Sequence, residues 1–297
     1  MIKTPKIVPP SEIVEGFKKL LGEKPVEYCL DDEVATQHLR IRKGQFNIIL
    51  GHPSVGKTTW IVWYLFKMAE VNQLKCMIYS GENDVLDIYK QLVQCFTGKL
   101  YWDCSEQEAS LASEFIHKYF LFIDDTEIYT AEELFDRFND SNNVDICVID
   151  PHNSVKVPLG RNWYEYSVEL GMNIRAFCKR TKKTVFLVAH PNSEAQRKLH
   201  TSGDNEGMAV PPIAANMEGG SVWKNKCDNF WIIHRYINHP VFWYKTLLIV
   251  EKIRYQDTGV KPTPLDAPLR FRKSQDGQFM LGEETLEEKI ERDNAPF

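Results

Sequence analysis

One short loop between two apolar segments constrains the fold of this chain more than any other feature. Residues 46–50 are mostly apolar and fit a buried strand, residues 51–59 contain glycine and polar groups, and an apolar helical pattern follows from Trp60. Four loop residues match the pattern G-x-x-x-x-G-K-[ST], namely Gly51, Gly56, Lys57 and Thr58. Because the match lies in the strand–loop–helix setting that gives the pattern meaning, we prefer a phosphate-binding loop to a simple glycine turn.

The chemistry of such a loop follows from its backbone and from two side chains. Backbone N–H groups of the loop and of the following helix N-terminus form a cradle for an anion. We expect the Lys57 ammonium to reach the β- and γ-phosphates and the Thr58 hydroxyl to ligate Mg²⁺. The sequence therefore predicts ATP bound together with Mg²⁺. The residues expected to line the nucleotide are Gly51, Pro53, Ser54, Val55, Gly56, Lys57, Thr58 and Thr59.

The composition limits the class of protein. With 43% hydrophobic and 26% charged residues, a chain of 297 residues can bury a full core. No run approaches the roughly 18 apolar residues of a membrane span and no signal peptide follows Met1, so we expect no membrane partner. The seven cysteines are scattered without a C-x-x-C pair. That pattern favours reduced thiols in a cytoplasmic protein over a zinc site.

The charge of the chain is unevenly distributed. The net charge is −5, but six acidic residues fall in 283–297 against only Lys289 and Arg292, so the rest is nearly neutral. A neutral body can still carry a local basic lining, and charge therefore neither supports nor excludes DNA binding. We divide the chain into an N-terminal arm (1–26), an α/β domain (27–282) and an acidic tail (283–297). We interpret the tail as a solubilising end rather than a partner site.

The arm is expected to contain a short amphipathic helix over residues 11–22. Ser11 is placed to cap its start and Gly22 to end it. Its apolar side chains form one stripe, made by Ile13, Val14, Phe17, Leu20 and Leu21. Prolines bracket the helix on both sides, which separates it from the main domain. The helix docks either on its own domain or on a neighbouring subunit, and the sequence leaves both interpretations open.

Strand-like and helical segments alternate after the arm, which predicts an α/β fold with a mostly parallel sheet flanked by helices. The predicted strands are 46–50, 76–80, 119–123, 145–150 and 184–189, and the predicted helices are 57–70, 84–97, 131–139 and 163–180. Thr130 and Glu133 predict a capping box at the third of these helices. From residue 229 onward strands follow without helices (229–235, 242–253 and 269–271), which predicts antiparallel strands at one edge of the sheet.

Polar side chains follow the predicted strands at the sheet edge where ligands of open α/β folds gather. Asp150 ends a hydrophobic strand and is expected to hold Mg²⁺ or its water shell together with Thr58. Glu82 follows another strand and is placed to orient the attacking water and take its proton. The alternative for Glu82 is an early helix residue favoured by the helix dipole. His190 follows a further strand, where it is placed to bind the γ-phosphate and sense its loss, or has a structural role.

Two cations lie on a late predicted strand. Lys252 and Arg254 are two positions apart, so their side chains point to the same face of that strand. A solvated strand face is one interpretation. The other is a pair of cations that completes the nucleotide site of an adjacent subunit, as an arginine finger supplied in trans.

These segments together resemble the RecA-like motor domain of hexameric replicative DNA helicases, above all the Twinkle and phage primase-helicase branch, with DnaB more distant. The matching segments are 51–59, 80–83, Asp150, 189–191, 220–229 and Lys252-x-Arg254, within about residues 30–280. The resemblance implies an ATPase in which Lys57, Glu82, Asp150, His190, Lys252 and Arg254 are catalytic. It also implies that Arg235 lies near the nucleotide or a DNA loop.

The chain departs from that family in two respects. Ser54 stands where many relatives have glycine, a tolerable change if the backbone dihedral angles there are ordinary. The residues before the α/β domain are also too few for a primase or a zinc-binding domain. We therefore expect a motor that acts alone or together with a separate primase.

The resemblance places DNA-binding loops after the Asp150 and His190 strands, facing a central pore. The first loop (152–162) offers Asn153, Lys156, Arg161 and Asn162, and the second (192–218) offers Arg197, Lys198 and His200. A loop as long as the second, without secondary structure, is usually functional or disordered. Contacts from these residues to DNA phosphates would be independent of sequence and sensitive to salt. The alternative is that both are ordinary surface loops.

The most specific hypothesis is therefore a ring-shaped, hexameric DNA helicase motor that hydrolyses ATP between subunits and moves 5′ to 3′ on single-stranded DNA. Two rivals share the same core. One is a RecA/RadA-type recombinase that forms an open filament, which the histidine and the late cations disfavour. The other is a KaiC-type regulatory ATPase or scaffold that binds protein instead of DNA.

Overall fold

The computed structural model describes residues 7–264, 266–274 and 276–282. The first six residues of the predicted arm and the predicted acidic tail, 283–297, lie outside the described residues. No helix in the described part of the chain combines the length and apolar character needed to cross a membrane.

The strands of the described residues form one nine-stranded sheet. They are β1 (Phe46–Leu50), β2 (Cys76–Ser80), β3 (Phe120–Phe122), β4 (Ile146–Asp150), β5 (Thr184–Ala189), β6 (Asn229–His234), β7 (Lys245–Ile253), β8 (Leu269–Lys273) and β9 (Phe279–Leu281). Their order in the sheet is β3-β2-β4-β5-β1-β6-β7-β8-β9. The first six in this order pair in parallel, and β6 to β9 pair antiparallel. The predicted α/β class with an antiparallel C-terminal edge is confirmed.

Helices cover both faces of this sheet. The α-helices of the described residues are α1 (Pro10–Leu20), α2 (Glu33–Thr36), α3 (Lys57–Asn72), α4 (Val85–Thr97), α5 (Glu106–Tyr119), α6 (Ala131–Asp140), α7 (Trp163–Thr181), α8 (Ser193–Arg197) and α9 (Val222–Lys226). Short 3-10 helices occupy Tyr101–Asp103, His152–Ser154 and Ala214–Asn216. One core cluster packs α3, α4 and α5 on one face, and a second packs α6, α7 and α9 on the other. Burial of this apolar surface is the main force that holds the layers together.

Helix α5 and strand β9 are additions to the predicted elements. Helix α5 begins with a capping box, in which Ser105 and Glu108 each bond the other's backbone N–H. The predicted box of Thr130 and Glu133 at α6 is confirmed. The second predicted DNA loop is not a structureless stretch, because it contains α8 and an antiparallel bridge between Leu199 and Ala209.

The arm helix α1 does not pack on the rest of the described chain. None of its residues is buried, and Phe17, in the middle of the apolar stripe, is 61% exposed. The helix starts one residue earlier than predicted, with Pro9 at the cap position and no side-chain capping bond. The prediction that Ser11 caps it is therefore wrong, since a proline in the first turn can begin a helix without such a bond.

Parallel pairing brings the carboxyl ends of four strands to one edge. Ser80 at the end of β2 is the register partner of Asp150 at the end of β4. Leu50 at the end of β1 is likewise the partner of Ala189 at the end of β5. The segments that follow these strands therefore meet in space, although they lie far apart in the chain.

Candidate nucleotide site

A cleft of about 860 Å³ opens at the carboxyl edge of the parallel strands. The predicted site residues that line it are Pro53, Ser54, Gly56, Lys57, Thr58, Thr59, Glu82, His190 and Arg235. Asn83, Asn153, Asn192, Gln196 and Glu218 also line it and were not predicted to contact the nucleotide, although Asn153 was a candidate for DNA binding. A volume of several hundred cubic ångströms suits a small-molecule ligand. The cleft therefore gathers the sequence-predicted phosphate loop, catalytic acid and sensor histidine around one space.

Each glycine of the phosphate loop has its own structural reason. A Cβ atom at Gly51 would lie 2.5 Å from the backbone oxygen of Ile233, so no larger residue fits between β1 and β6. Gly56 caps α3 with φ of 89°, in the left-handed region that glycine adopts without strain. Gly51 and Val55 do not line the cleft, and the Val55 side chain is buried in the core.

Ser54 occupies a left-handed backbone position. Its φ is 62°, whereas the expectation that this residue is tolerable rested on ordinary dihedral angles. Those angles are not ordinary, so the condition for that expectation is not met. A left-handed conformation costs a non-glycine residue about 1–2 kcal/mol. The loop therefore stores a modest strain at the position where glycine would be free of it.

Lys57 is a buried cation that bonds to its own loop. Its ammonium donates to the backbone oxygen of His52 at 2.9 Å and lies 3.2 Å from Nδ1 of His190. Burial lowers the pKa of Lys57 to about 8, and the nearby carboxylates of Asp150 and Glu82 offset only part of this effect. An anion entering the cleft would therefore meet a lysine that lacks a full counter-charge.

Thr58 and Asp150 form the predicted metal-binding pair. The Thr58 hydroxyl donates to Oδ2 of Asp150 at 2.6 Å, and the Asn83 side-chain amide donates to the same hydroxyl oxygen at 3.3 Å. Asp150 is 2% exposed, and burial raises its pKa to about 6 against the opposing effects of Thr58 and Lys57. One hydroxyl and one carboxylate are the oxygen ligands that Mg²⁺ uses when phosphates and waters complete its shell. The residues present therefore fit that ion.

Glu82 and His190 face each other across the cleft. Oε1 of Glu82 lies 3.3 Å from Nε2 of His190, and the Glu82 side chain is about half exposed. Burial and the Lys57 charge lower the pKa of His190, while Glu82 opposes them. His190 therefore lies between Lys57 and Glu82, in contact with both, at the end of β5.

Arg235 reaches the phosphate loop from the end of β6. Its Nη2 donates to the backbone oxygen of Ser54 at 3.2 Å, and burial lowers its pKa. The newly found Asn83 follows Glu82 directly, so the rule that identified Glu82 would have identified it also. Asn153, Asn192, Gln196 and Glu218 carry no comparable sequence signal, because their positions depend on how three loops fold over the cleft.

Lys252 and Arg254 lie outside the cleft of their own chain. Both donate to the backbone oxygen of Cys227, at 2.9 Å and 3.0 Å, so they share one face as predicted. The Lys252 ammonium also bonds the backbone oxygen of Lys224, and Nε of Arg254 lies 3.1 Å from the buried carboxylate of Asp228. The two cations thus rest on the C-terminal end of α9.

Some of the side chains predicted to bind DNA already contact other residues of the chain, whereas others are exposed to solvent. Asn162 caps α7 by accepting from the backbone N–H of Glu165 at 3.0 Å, and Arg161 pairs with Glu169 at 2.6 Å. Lys156, Arg197 and Lys198 are exposed to solvent. Short-range capping explains Asn162 without DNA, a role that its position before the helix already suggests.

Comparison with known proteins finds similarity in structure only. No protein-family model matches the chain, and no curated protein matches it either. Among solved structures, that of an ATPase domain matches with a TM-score of 0.66 and 13% identity, covering 81% of this chain and 86% of that one. The structure of a DnaB-like replicative helicase, described together with its interactions with primase, matches with a TM-score of 0.68 and 11% identity. The match covers 93% of this chain and 67% of the helicase chain. The chain has the RecA-like fold that these two structures share. This confirms the fold that the sequence resemblance predicted.

In this RecA-like domain, substitutions at Ser54 should separate backbone strain from packing, because the side chain is exposed. Ser54→Gly should leave the free energy of unfolding unchanged or raise it by up to about 1 kcal/mol, since relief of strain outweighs the added freedom of the unfolded chain. Ser54→Val should lower it by about 1–2 kcal/mol, because β-branched residues are strained at positive φ. Urea unfolding measures both, with Ser54→Ala as the control for loss of the hydroxyl. If the glycine and valine variants unfolded at the same urea concentration, the inferred backbone strain at Ser54 would be wrong.

Nucleotide affinity should depend on the protonation of Lys57. Phosphates raise the pKa of a lysine that they contact, so affinity is complete below the free value of about 8 and is lost as pH rises above it. We expect the affinity for Mg²⁺-ADP to fall by up to about tenfold per unit between pH 8 and 10. Titration of a fluorescent ADP at several pH values measures this.

Lys57→Arg is the control for this dependence, since an arginine stays charged over the whole range. The variant should bind more weakly, because the planar guanidinium fits the same space poorly, but its affinity should not fall above pH 8. A fall of the same size in the arginine variant would show that Lys57 is not the titrating group.

Proposed function

We propose that this chain is the motor subunit of a ring-shaped DNA helicase, which hydrolyses ATP between subunits and translocates 5′ to 3′ on single-stranded DNA. The observation that carries the proposal is a set of three polar pairs, each with at least one member lining one cleft of a RecA-like fold. These pairs are Lys57 with His52, Thr58 with Asp150, and Glu82 with His190. Their arrangement fits hydrolysis of a nucleoside triphosphate better than simple binding, because a carboxylate faces the space where a water would attack.

Each pair has a distinct role in this proposal. Lys57 and the N–H groups of the loop would hold the phosphates, and Thr58 and Asp150 would hold Mg²⁺. When bound, the ion would neutralise the negative charge that develops on the phosphates. Glu82 orients the attacking water and takes its proton. His190 contacts both Lys57 and Glu82, so it is placed to respond when the γ-phosphate is lost.

The position of Lys252 and Arg254 supports a site completed by another subunit. In the described structure neither side chain lines the cleft of its own chain. A cation that stabilises the transferred phosphoryl group can raise the rate by about 10³–10⁵. Such a contribution requires a head-to-tail contact between copies, and head-to-tail contacts close into rings when the rotation allows it. We propose a hexamer.

The DNA contacts are assigned to the loops near the cleft. Exposed Lys156, Arg197 and Lys198 are the preferred phosphate contacts, whereas Arg161 and Asn162 are already engaged by Glu169 and by the start of α7. Contacts of this type are independent of DNA sequence and weaken as the salt concentration rises.

The arm helix α1 carries an exposed apolar stripe, and we propose that this stripe docks on a neighbouring subunit. A separate primase is a further candidate partner.

The first test is steady-state ATP hydrolysis with and without single-stranded DNA at two salt concentrations. We expect several-fold stimulation that diminishes at high salt, since backbone contacts release bound counterions. Arg254→Ala should lower the stimulated kcat by about 10³-fold or more, and Lys57→Ala should abolish it. Arg180→Ala is the matched control, because Arg180 is an exposed arginine on α7 away from the cleft.

The same measurement separates the rival functions. Hydrolysis that ignores DNA would contradict the helicase and would favour a protein-directed ATPase of the KaiC type. Electron micrographs of the DNA-bound protein distinguish rings from the open filaments of a recombinase.

Mixed subunits test whether Arg254 acts in trans. Lys57→Ala and Arg254→Ala subunits are each inactive alone, but a ring assembled from both contains interfaces in which an intact Lys57 meets an intact Arg254. Random assembly of equal amounts gives about one such interface in four, so we expect partial recovery of hydrolysis. Co-expression of two differently tagged variants, purified through both tags, provides the sample. Mixtures with no activity would show that Arg254 serves its own chain.

A further inference from the structure

Residues 198–210 form a closed hairpin beside the cleft. The backbone N–H of Val210 donates to the oxygen of Lys198 at 2.9 Å, and the N–H of His200 donates to the oxygen of Met208 at 2.8 Å. This segment, called here the 198–210 hairpin, begins with Lys198 and directly follows Arg197. Both are cations that we assign to DNA.

A phosphate-loop side chain holds one end of this hairpin. Nε2 of His52 lies 3.0 Å from the backbone oxygen of Val210, and His52 is only 6% exposed. Because a carbonyl oxygen can only accept, Nε2 must carry a proton and donate it. His52 lies between Gly51 and Pro53, so the loop that cradles phosphate is joined to the hairpin by one side chain.

The packing beneath His52 keeps its ring in one position. His234, at the end of β6, is 1% exposed, and its ring meets the His52 ring edge-on with centroids 5.8 Å apart. Burial, together with His52 and His200, lowers the pKa of His234 to about 3, so it is neutral near pH 7. The neutral His234 ring therefore packs against His52 without adding a charge to this buried position.

A second contact leads from the hairpin to the same loop. Nε2 of His200 lies 3.1 Å from the hydroxyl of Tyr236. The neighbouring Arg235 donates to the backbone oxygen of Ser54. The hairpin is thus joined to the phosphate loop directly through His52 and indirectly through Tyr236.

Nucleotide binding would act on a cation that already bonds the residue making the direct contact. The Lys57 ammonium bonds the backbone oxygen of His52 at 2.9 Å, and a phosphate in the cleft would compete with that oxygen for the ammonium. This competition would weaken the bond to the His52 peptide while the His52 side chain holds Val210. The link therefore runs from Lys57 through a single residue to the hairpin.

We propose that His52 is a positioning residue that transmits nucleotide occupancy of the phosphate loop to the 198–210 hairpin. The proposal rests on the nucleotide binding in the proposed function and extends it, because it names the route by which the nucleotide alters the segment that carries Lys198.

Amide hydrogen exchange of the full chain, with and without Mg²⁺-ADP or a Mg²⁺-bound non-hydrolysable ATP analogue, tests this coupling. In the wild type, nucleotide should change the exchange rates of the 198–210 amides by roughly threefold or more. His52→Leu should abolish this nucleotide-dependent difference. His52→Gln should retain it, because its side-chain amide can donate where Nε2 does, whereas His52→Asn is too short to reach Val210. A merely structural role would shift exchange equally with and without nucleotide.

Nucleotide affinity is measured on the same samples, and the assay contains no DNA. Absence of nucleotide binding in the wild type would refute the proposed function itself. A leucine or asparagine variant that binds nucleotide and keeps the wild-type difference would overturn the coupling. Loss of binding in those two variants, with normal binding in the glutamine variant, would also overturn it, because His52 would then serve binding rather than coupling.

Discussion

The buried ammonium of Lys57 is the interaction on which the rest of the site depends. It lies at the start of α3, with the His52 carbonyl and the His190 ring as its nearest partners and with Asp150 and Glu82 near enough to affect its pKa. A buried charge with incomplete compensation is costly, and an anion that supplies the missing partner gains accordingly. The parallel sheet makes this arrangement possible, because it brings the ends of β1, β2, β4 and β5 together.

The opposite end of β6 carries a second charged centre. Asp228 is fully buried, accepts the backbone N–H of Phe46 at 2.9 Å, and contacts the guanidinium groups of Arg175 and Arg254. Because Asp228 is fully buried, loss of both arginine partners would leave an uncompensated charge in the interior, which typically costs about 3–5 kcal/mol. The same contacts that stabilise the start of β1 and β6 therefore fix where Arg254 lies. The Asp228 carboxylate therefore affects both the stability of the fold and the position of Arg254, the proposed arginine finger.

Much of the fold and most of the cleft could be predicted from the sequence, because the signals are local. A strand, a glycine loop and a helix in order predict the phosphate site, and residues directly after strands identified Glu82, Asp150 and His190. Helix α5 could have been found from its Ser105–Glu108 capping box. The pairing of Arg161 follows from its contact with Glu169 on α7, and the positive φ of Ser54 follows from loop closure. These features depend on three-dimensional neighbours, which periodicity does not encode.

The resting contacts of Lys252 and Arg254 have a consequence for how a ring would work. Both cations are already bonded to carbonyl oxygens at the end of α9, and Arg254 also to Asp228. In the proposed ring, a neighbour's γ-phosphate would have to compete with these groups, so engagement is an exchange of partners rather than the formation of new bonds. Exchange between comparable partners has a small net free energy in either direction. A contact of this kind is released as readily as it forms, which suits an interface that must open once in every cycle.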